Sequence, residues 1–94
     1  MNGVLLEVAN ERQRQDEKWG GPSHDDFHSL HVWPRWIKNY ASWADQMLDM
    51  RSYGKMRNRL IQIAAMAVAA VESLDRQVPE AKPPTDCESV GRKG

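Results

Sequence analysis

Residues 57–76 read RNRLIQIAAMAVAAVESLDR, and no other segment constrains the fold as strongly. Starting one residue earlier, Met56, Leu60, Ile63, Ala67, Val71 and Leu74 recur at spacings of four, three, four, four and three. That is the period of one helical face. Ala64, Ala65, Ala69 and Ala70 lie between them and permit close approach by a second helix. A long amphipathic helix of this kind must bury its stripe against other helices, so the expected fold class is all-α.

Two further helices are predicted upstream. Leu5, Val8, Arg12, Gln15 and Trp19 share one face of a first helix from about Gly3 to Lys18. Gly20, Gly21 and Pro22 end it, and GGPSHDDFHS reads as a turn-rich connection. The second helix is expected from about Val32 to Met50, with Pro34 in its first turn and Ser29 or His31 as cap. Trp33, Trp36, Ile37, Tyr40, Trp43, Ala44, Met47 and Leu48 give it a broad apolar face. After the break at Arg51-Ser52-Tyr53-Gly54 comes the third helix, antiparallel to the second because the connection is short. The expected organisation is one helical domain over residues 1–77 and a disordered tail over 78–94, VPEAKPPTDCESVGRKG, which has no apolar period.

Composition narrows the function. With 94 residues the chain is one domain at most, near the lower size for a self-sufficient core. Thirteen basic residues balance thirteen acidic ones, which argues against a broad nucleic-acid-binding face. Cys87 is the only cysteine, so no intramolecular disulfide forms. No stretch approaches the roughly 18 apolar residues of a membrane span, and MNGVLLEVANER lacks the basic start of a secretion signal. A cytoplasmic location without a membrane partner is expected. Four tryptophans fall between Trp19 and Trp43, beside Phe27, Tyr40 and Tyr53. Core packing is the plain account of so heavy a load, with a self-association surface or base-stacking pocket as alternatives. A homodimer packed through the second and third helices into a bundle is expected, since a chain this short has little capacity to bury them all.

Three segments carry a resemblance: ERQRQDEKWGGPSHDD, WPRWIKNYASWAD and RNRLIQIAAMAVAAVESLDR. Their order and spacing, over about residues 7–77, resemble those of the all-α MazG-like NTP pyrophosphohydrolases, a family common in phage genomes. The resemblance implies a helical protomer and two carboxylate motifs, Glu-Glu-x-x-Glu and Glu-x-x-Asp, on consecutive helices. Residues three and four apart share a helical face, so such motifs converge oxygen ligands on Mg²⁺. Here Asn39, Tyr40 and Trp43 fall at the first motif and Arg59 and Gln62 at the second. No Glu occurs between Lys18 and Glu72. Asp45 and Asp49, or Glu72 and Asp75, are the substitutes an active enzyme needs. Glu72 lies 13 residues beyond Arg59, about 20 Å along a helix, and the plain reading of all four is surface charge.

The expectation is therefore a phage-type accessory protein that hydrolyses nothing, needs no cofactor and uses the scaffold as a binding module. A host enzyme or defence system is its expected partner. Two alternatives stand beside it: a Mg²⁺-dependent pyrophosphohydrolase acting on (d)NTPs, and a sensor that binds a nucleotide without hydrolysis. Candidate binding residues are Arg12, Lys18, Trp19, His24, Asp25, Tyr40, Trp43 and Arg59. Arg12, Arg14 and Lys18 read either as a solvated face paired with Glu11, Asp16 and Glu17 or as phosphate contacts. His28 and His31, three apart, form a candidate transition-metal pair with Asp25 or Asp26. Loop and capping roles account equally well for these residue types, and no metal is assigned.

Overall fold

The computed structural model describes residues 2–81. It is all-α, with helices α1 (Asn2–Trp19), α2 (Gly21–Phe27), α3 (Val32–Asp49) and α4 (Tyr53–Gln77), then a 3-10 turn at Pro79–Ala81. The organisation differs from the expected one in a single element. Residues 21–27, read from the sequence as part of a loop, form α2. Gly20 ends α1 in the left-handed region at φ 106°, its N–H donating to the Asp16 carbonyl at 2.8 Å. Gly21 follows at φ 72°. Pro22 then starts the new helix, where its missing N–H costs nothing. The expected disordered tail falls largely on residues 82–94, outside the described residues, as does Cys87.

α4 is the organising element, and α1, α2 and α3 all pack on it. α3 and α4 run antiparallel: Trp43 lies beside Arg59 near the connection, and Trp36 and Tyr40 lie beside Met66 farther along. The connection itself is tight. The N–H of Arg51 donates to the Leu48 carbonyl at 2.9 Å and that of Ser52 to the Met47 carbonyl at 2.8 Å. This is the double closure of a Schellman ending, with Arg51 at φ 58° in the position Gly usually takes. Neither expected cap acts on α3: His31 precedes it without a side-chain hydrogen bond, and the Ser29 hydroxyl accepts from the His31 N–H one turn earlier.

The core is small, and on α4 it does not follow the predicted stripe. Leu60 and Val71 are exposed, and Met56, Ile63, Ala67 and Leu74 are half-buried. The buried face is Ala65, Met66, Ala69 and Ser73, where small side chains let the neighbouring helices approach. Trp33 and Ala44 of α3 meet Ala65, Met66 and Ala69 of α4, all buried. From α1, Val8, Arg12 and Trp19 are half-buried and Gln15 is buried, whereas Leu5 is exposed. Fully burying a side chain such as Met66 contributes about 1.5–3 kcal/mol. The α4 alanines divide into two sets. Ala65 and Ala69 are inside, at 0% and 3% exposure. Leu60, Val68 and Val71 are exposed along an outer stripe, with the half-buried Ala64 and Ala67 between them.

Ion pairs tie α1 and α2 to the same helix. Arg57 forks onto both carboxylate oxygens of Glu7 at 2.7 Å. Arg12 bridges Asp16 and Glu72, each at 2.8 Å. Asp26 accepts from Ser73 at 2.7 Å and twice from Arg76 at 2.8 Å. The last set explains why a seven-residue segment rich in poor helix formers is helical: tertiary contacts outweigh its weak local preference.

Candidate functional site: an aromatic cleft

At i, i+3, i+4 and i+7, Trp36, Asn39, Tyr40 and Trp43 share one face of α3. Trp19 at the end of α1 joins them from one side, with His24 and His28 from α2 and its C-cap. Together with Met66 of α4 they line a cleft of about 410 Å³. This volume is in the range of small-ligand sites, and the lining has their composition: aromatic and apolar walls with a few polar groups. The polar groups come from the His24 and His28 imidazoles, the Asn39 amide, the Tyr40 hydroxyl and the tryptophan indoles, and no carboxylate lines the cleft.

The rings pack edge-on in a continuous row. His24 and His28 have centroids 4.5 Å apart, His28 and Trp36 5.2 Å, and Trp36 and Trp33 5.6 Å, all near perpendicular. Tyr40 and Trp43 form a tilted pair at 4.9 Å. Such edge-to-face pairs satisfy the ring quadrupoles and hold the walls rigid. Trp33 is buried behind the row, and its indole Nε1 has no hydrogen-bond partner. Two cations flank the cleft. Arg59 reaches from α4 over Tyr40 and Trp43, with its guanidinium carbon 5.7 and 5.1 Å from the ring centres. Lys18 holds its ammonium 5.5 Å from the Trp19 ring centre. Arg59 also donates to the Gln62 side chain at 3.1 Å. Asn39, Tyr40 and Trp43 line the cleft, Arg59 lies over the Tyr40 and Trp43 rings, and the Gln62 side chain accepts a hydrogen bond from Arg59.

Of the eight candidate residues, Trp19, His24, Tyr40 and Trp43 line the cleft, and Lys18 and Arg59 stack at its edge. Arg12 and Asp25 lie elsewhere. The Arg12 guanidinium pays for partial burial, but hydrogen bonds to Asp16 and Glu72 more than offset that and raise its pKa. Asp25 is buried, and burial pushes its carboxyl pKa up against the opposing pull of Arg12. Its Oδ1 lies 3.8 Å from His24 Nδ1, so it stands behind the cleft wall. His28, Trp36, Asn39 and Met66 also line the cleft and are not among the eight, although the helical spacing of Trp36 and Asn39 from Tyr40 and Trp43 is a signal in the sequence. The proposed His28–His31 pairing does not form: His31 is exposed ahead of α3, and the imidazole that meets His28 is His24.

A second depression of about 420 Å³ lies between α1 and α4, lined by Glu7, Asn10, Glu11, Arg14, Asn58, Ile61 and Gln62. Its carboxylates are already taken. Arg57 clamps Glu7 and lowers its pKa, and Arg14 clamps Glu11 at 2.9 and 2.8 Å. Asp45, Asp49 and Glu72 are exposed, as the surface-charge reading expects, and Asp75 is partly covered. Among the described residues no helix is long and apolar enough to cross a membrane. No protein-family model, curated protein or solved structure matches the chain.

Proposed function

We propose that this chain is a binding module that carries out no hydrolysis, a phage-type accessory protein on a MazG-like helical scaffold that engages a host enzyme or defence protein. One observation carries the reading. The aromatic cleft is walled by Trp19, Trp36, Tyr40 and Trp43 and edged by Arg59 and Lys18, with no carboxylate in its lining. Rigid aromatic residues with an adjacent arginine are the composition of protein-recognition hot spots. They are not the composition of a Mg²⁺ centre, which needs convergent oxygen ligands. The test is affinity capture from host lysate with the wild type, with Trp36→Ala/Trp43→Ala and with Asp49→Ala as surface control. A partner held by the wild type and the control but lost from the cleft variant supports the proposal. Equal capture by all three overturns the role of the cleft.

The pair of flanking cations favours a second reading, the nucleotide-binding sensor. Arg12, Arg14, Arg57 and Arg76 are all engaged with carboxylates, whereas Arg59 and Lys18 stack on rings. A planar base between the aromatic walls would leave its phosphates within reach of these two charges. Calorimetry with NTPs, dNTPs and cyclic nucleotides separates the readings. Saturable binding that Arg59→Ala and Trp43→Ala both weaken moves the assignment to the sensor.

Self-association belongs to the same proposal. Leu60, Val68 and Val71 are 48%, 40% and 56% exposed on one stripe of α4, interleaved with Ala64 and Ala67. An apolar helix face of this length is suited to a two-fold interface with a second copy, where small residues allow close approach.

A further inference from the structure

We propose that His24 and His28 form a two-imidazole seat for a divalent transition-metal ion in the wall of the aromatic cleft. The two residues are one helical turn apart, and their Nε2 atoms approach to 3.1 Å. At the Zn–N distance of about 2.0–2.1 Å, nitrogens so spaced subtend roughly 100° at a shared metal, between octahedral and tetrahedral values. The rings do not point straight at one another. Their centroids are 4.5 Å apart at an interplanar angle of 75°, closer than a collinear Nε2–Nε2 contact would place them. At least one lone pair is therefore inclined to the line joining the nitrogens. The same 3.1 Å contact is a hydrogen bond when one Nε2 carries a proton, and an ion bound by both lone pairs displaces that proton.

The surroundings supply the correct tautomer. His24 Nδ1 is buried without a hydrogen-bond partner, and its nearest polar neighbour is the Asp25 carboxylate at 3.8 Å. A lone pair facing a carboxylate is repelled and an N–H is attracted, so Nδ1 carries the proton and Nε2 keeps its lone pair. At 3.8 Å that carboxylate is beyond hydrogen-bond distance, so it acts on the tautomer through its charge alone. Imidazole nitrogen selects Zn²⁺, Ni²⁺ or Cu²⁺ over Mg²⁺ and Ca²⁺. Among the described residues no group of three His, Cys, Asp or Glu side chains is placed to hold a metal. The remaining coordination positions open on the cleft and fall to water or to a donor atom of whatever the cleft holds.

The test uses untagged full-length protein titrated with Ni²⁺ alone, reading tryptophan fluorescence. The His28 ring lies 5.2 Å from that of Trp36, so an ion on the pair quenches at close range. Expected is a quench that saturates at one equivalent and is absent with Mg²⁺. His28→Gln should weaken it at least tenfold while His31→Gln leaves it intact, and Asp25→Asn should weaken it by a smaller factor. Circular dichroism of each metal-free variant establishes that it is folded. Independently of any variant, ¹⁵N shifts of the wild-type imidazoles with Zn²⁺ should move at His24 and His28 Nε2 and not at His31. An unsaturable quench, equal affinity in His28→Gln, or unmoved Nε2 shifts would show that the pair is only a hydrogen bond.

Discussion

Arg59 places its guanidinium carbon 5.1 Å from the centre of the Trp43 ring, so the charge that α4 brings to the cleft meets a π face and not a carboxylate. The same group covers Tyr40 at 5.7 Å. Cation–π contacts of this kind contribute about 0.5–1 kcal/mol where they are exposed to water. Arg59→Met keeps the stem and removes the charge. The melting temperature should fall by roughly 2–8 °C for a domain this size, and tryptophan emission should move to longer wavelength as Trp43 gains water. An unchanged melt and an unchanged spectrum would show that the stacking contributes nothing in solution.

Neighbouring carboxylates should respond to pH with opposite signs. Hydrogen bonds from Arg76 and Ser73 hold the Asp26 pKa at about 2, below its ordinary 3.8. A depressed folded value means that its contribution is full above about pH 4 and is lost as the pH falls toward 2. Asp25 is shifted the other way by burial, so its ionised form weighs against the fold as pH rises through that raised value. Asp26→Asn should melt lower than wild type at pH 7, with the gap closing toward pH 2. Asp25→Asn should melt at or above wild type at pH 7. Thermal melts across that range check both signs.

α3 and α4 were legible because their apolar residues repeat at the helical period over several turns. α2 was not, because Gly20, Gly21 and Pro22 mark a stop and Ser23 to Asp26 have low helix propensity. Its stability comes from Asp26 reaching Ser73 and Arg76, about fifty residues away in the chain. The missing helix also hid the His24–His28 contact, since residues four apart share a face only if the chain between them is helical. The alanines posed a different problem. Spacing put Ala67 on the stripe expected to be buried, with Leu60 and Val71, whereas the face inside is that of Ala65 and Ala69, because small side chains allow the closer helix contact.

Arg51 at φ 58° occupies a conformation that a Cβ atom disfavours. Arg51→Gly should stabilise the chain by about 0.5–1 kcal/mol, the relief of strain exceeding the extra unfolded-state entropy of glycine. Chemical denaturation would show a higher midpoint with an unchanged slope. A lower midpoint would mean that the arginine side chain supports the turn.

The outer stripe of α4 predicts a separation between two kinds of glutamate substitution. Val71→Glu should leave a folded helical protein whose mass by light scattering drops to that of one chain. Ala65→Glu buries a charge where exposure is 0%, so it should abolish cooperative melting whatever the oligomeric state. A wild type that is already monomeric at micromolar concentration would remove the second copy from the account.

Pyrophosphate release from the common NTPs and dNTPs, with Mg²⁺ or Mn²⁺ and pure protein, tests most directly whether this cleft recognises or hydrolyses. None of the residues that line it is a carboxylate of the kind that holds Mg²⁺ for water activation. The account predicts a rate equal to that of a heat-killed control for every nucleotide. Turnover above that control, abolished by Asp45→Ala or Glu72→Ala, would contradict it and restore a hydrolase with displaced carboxylates.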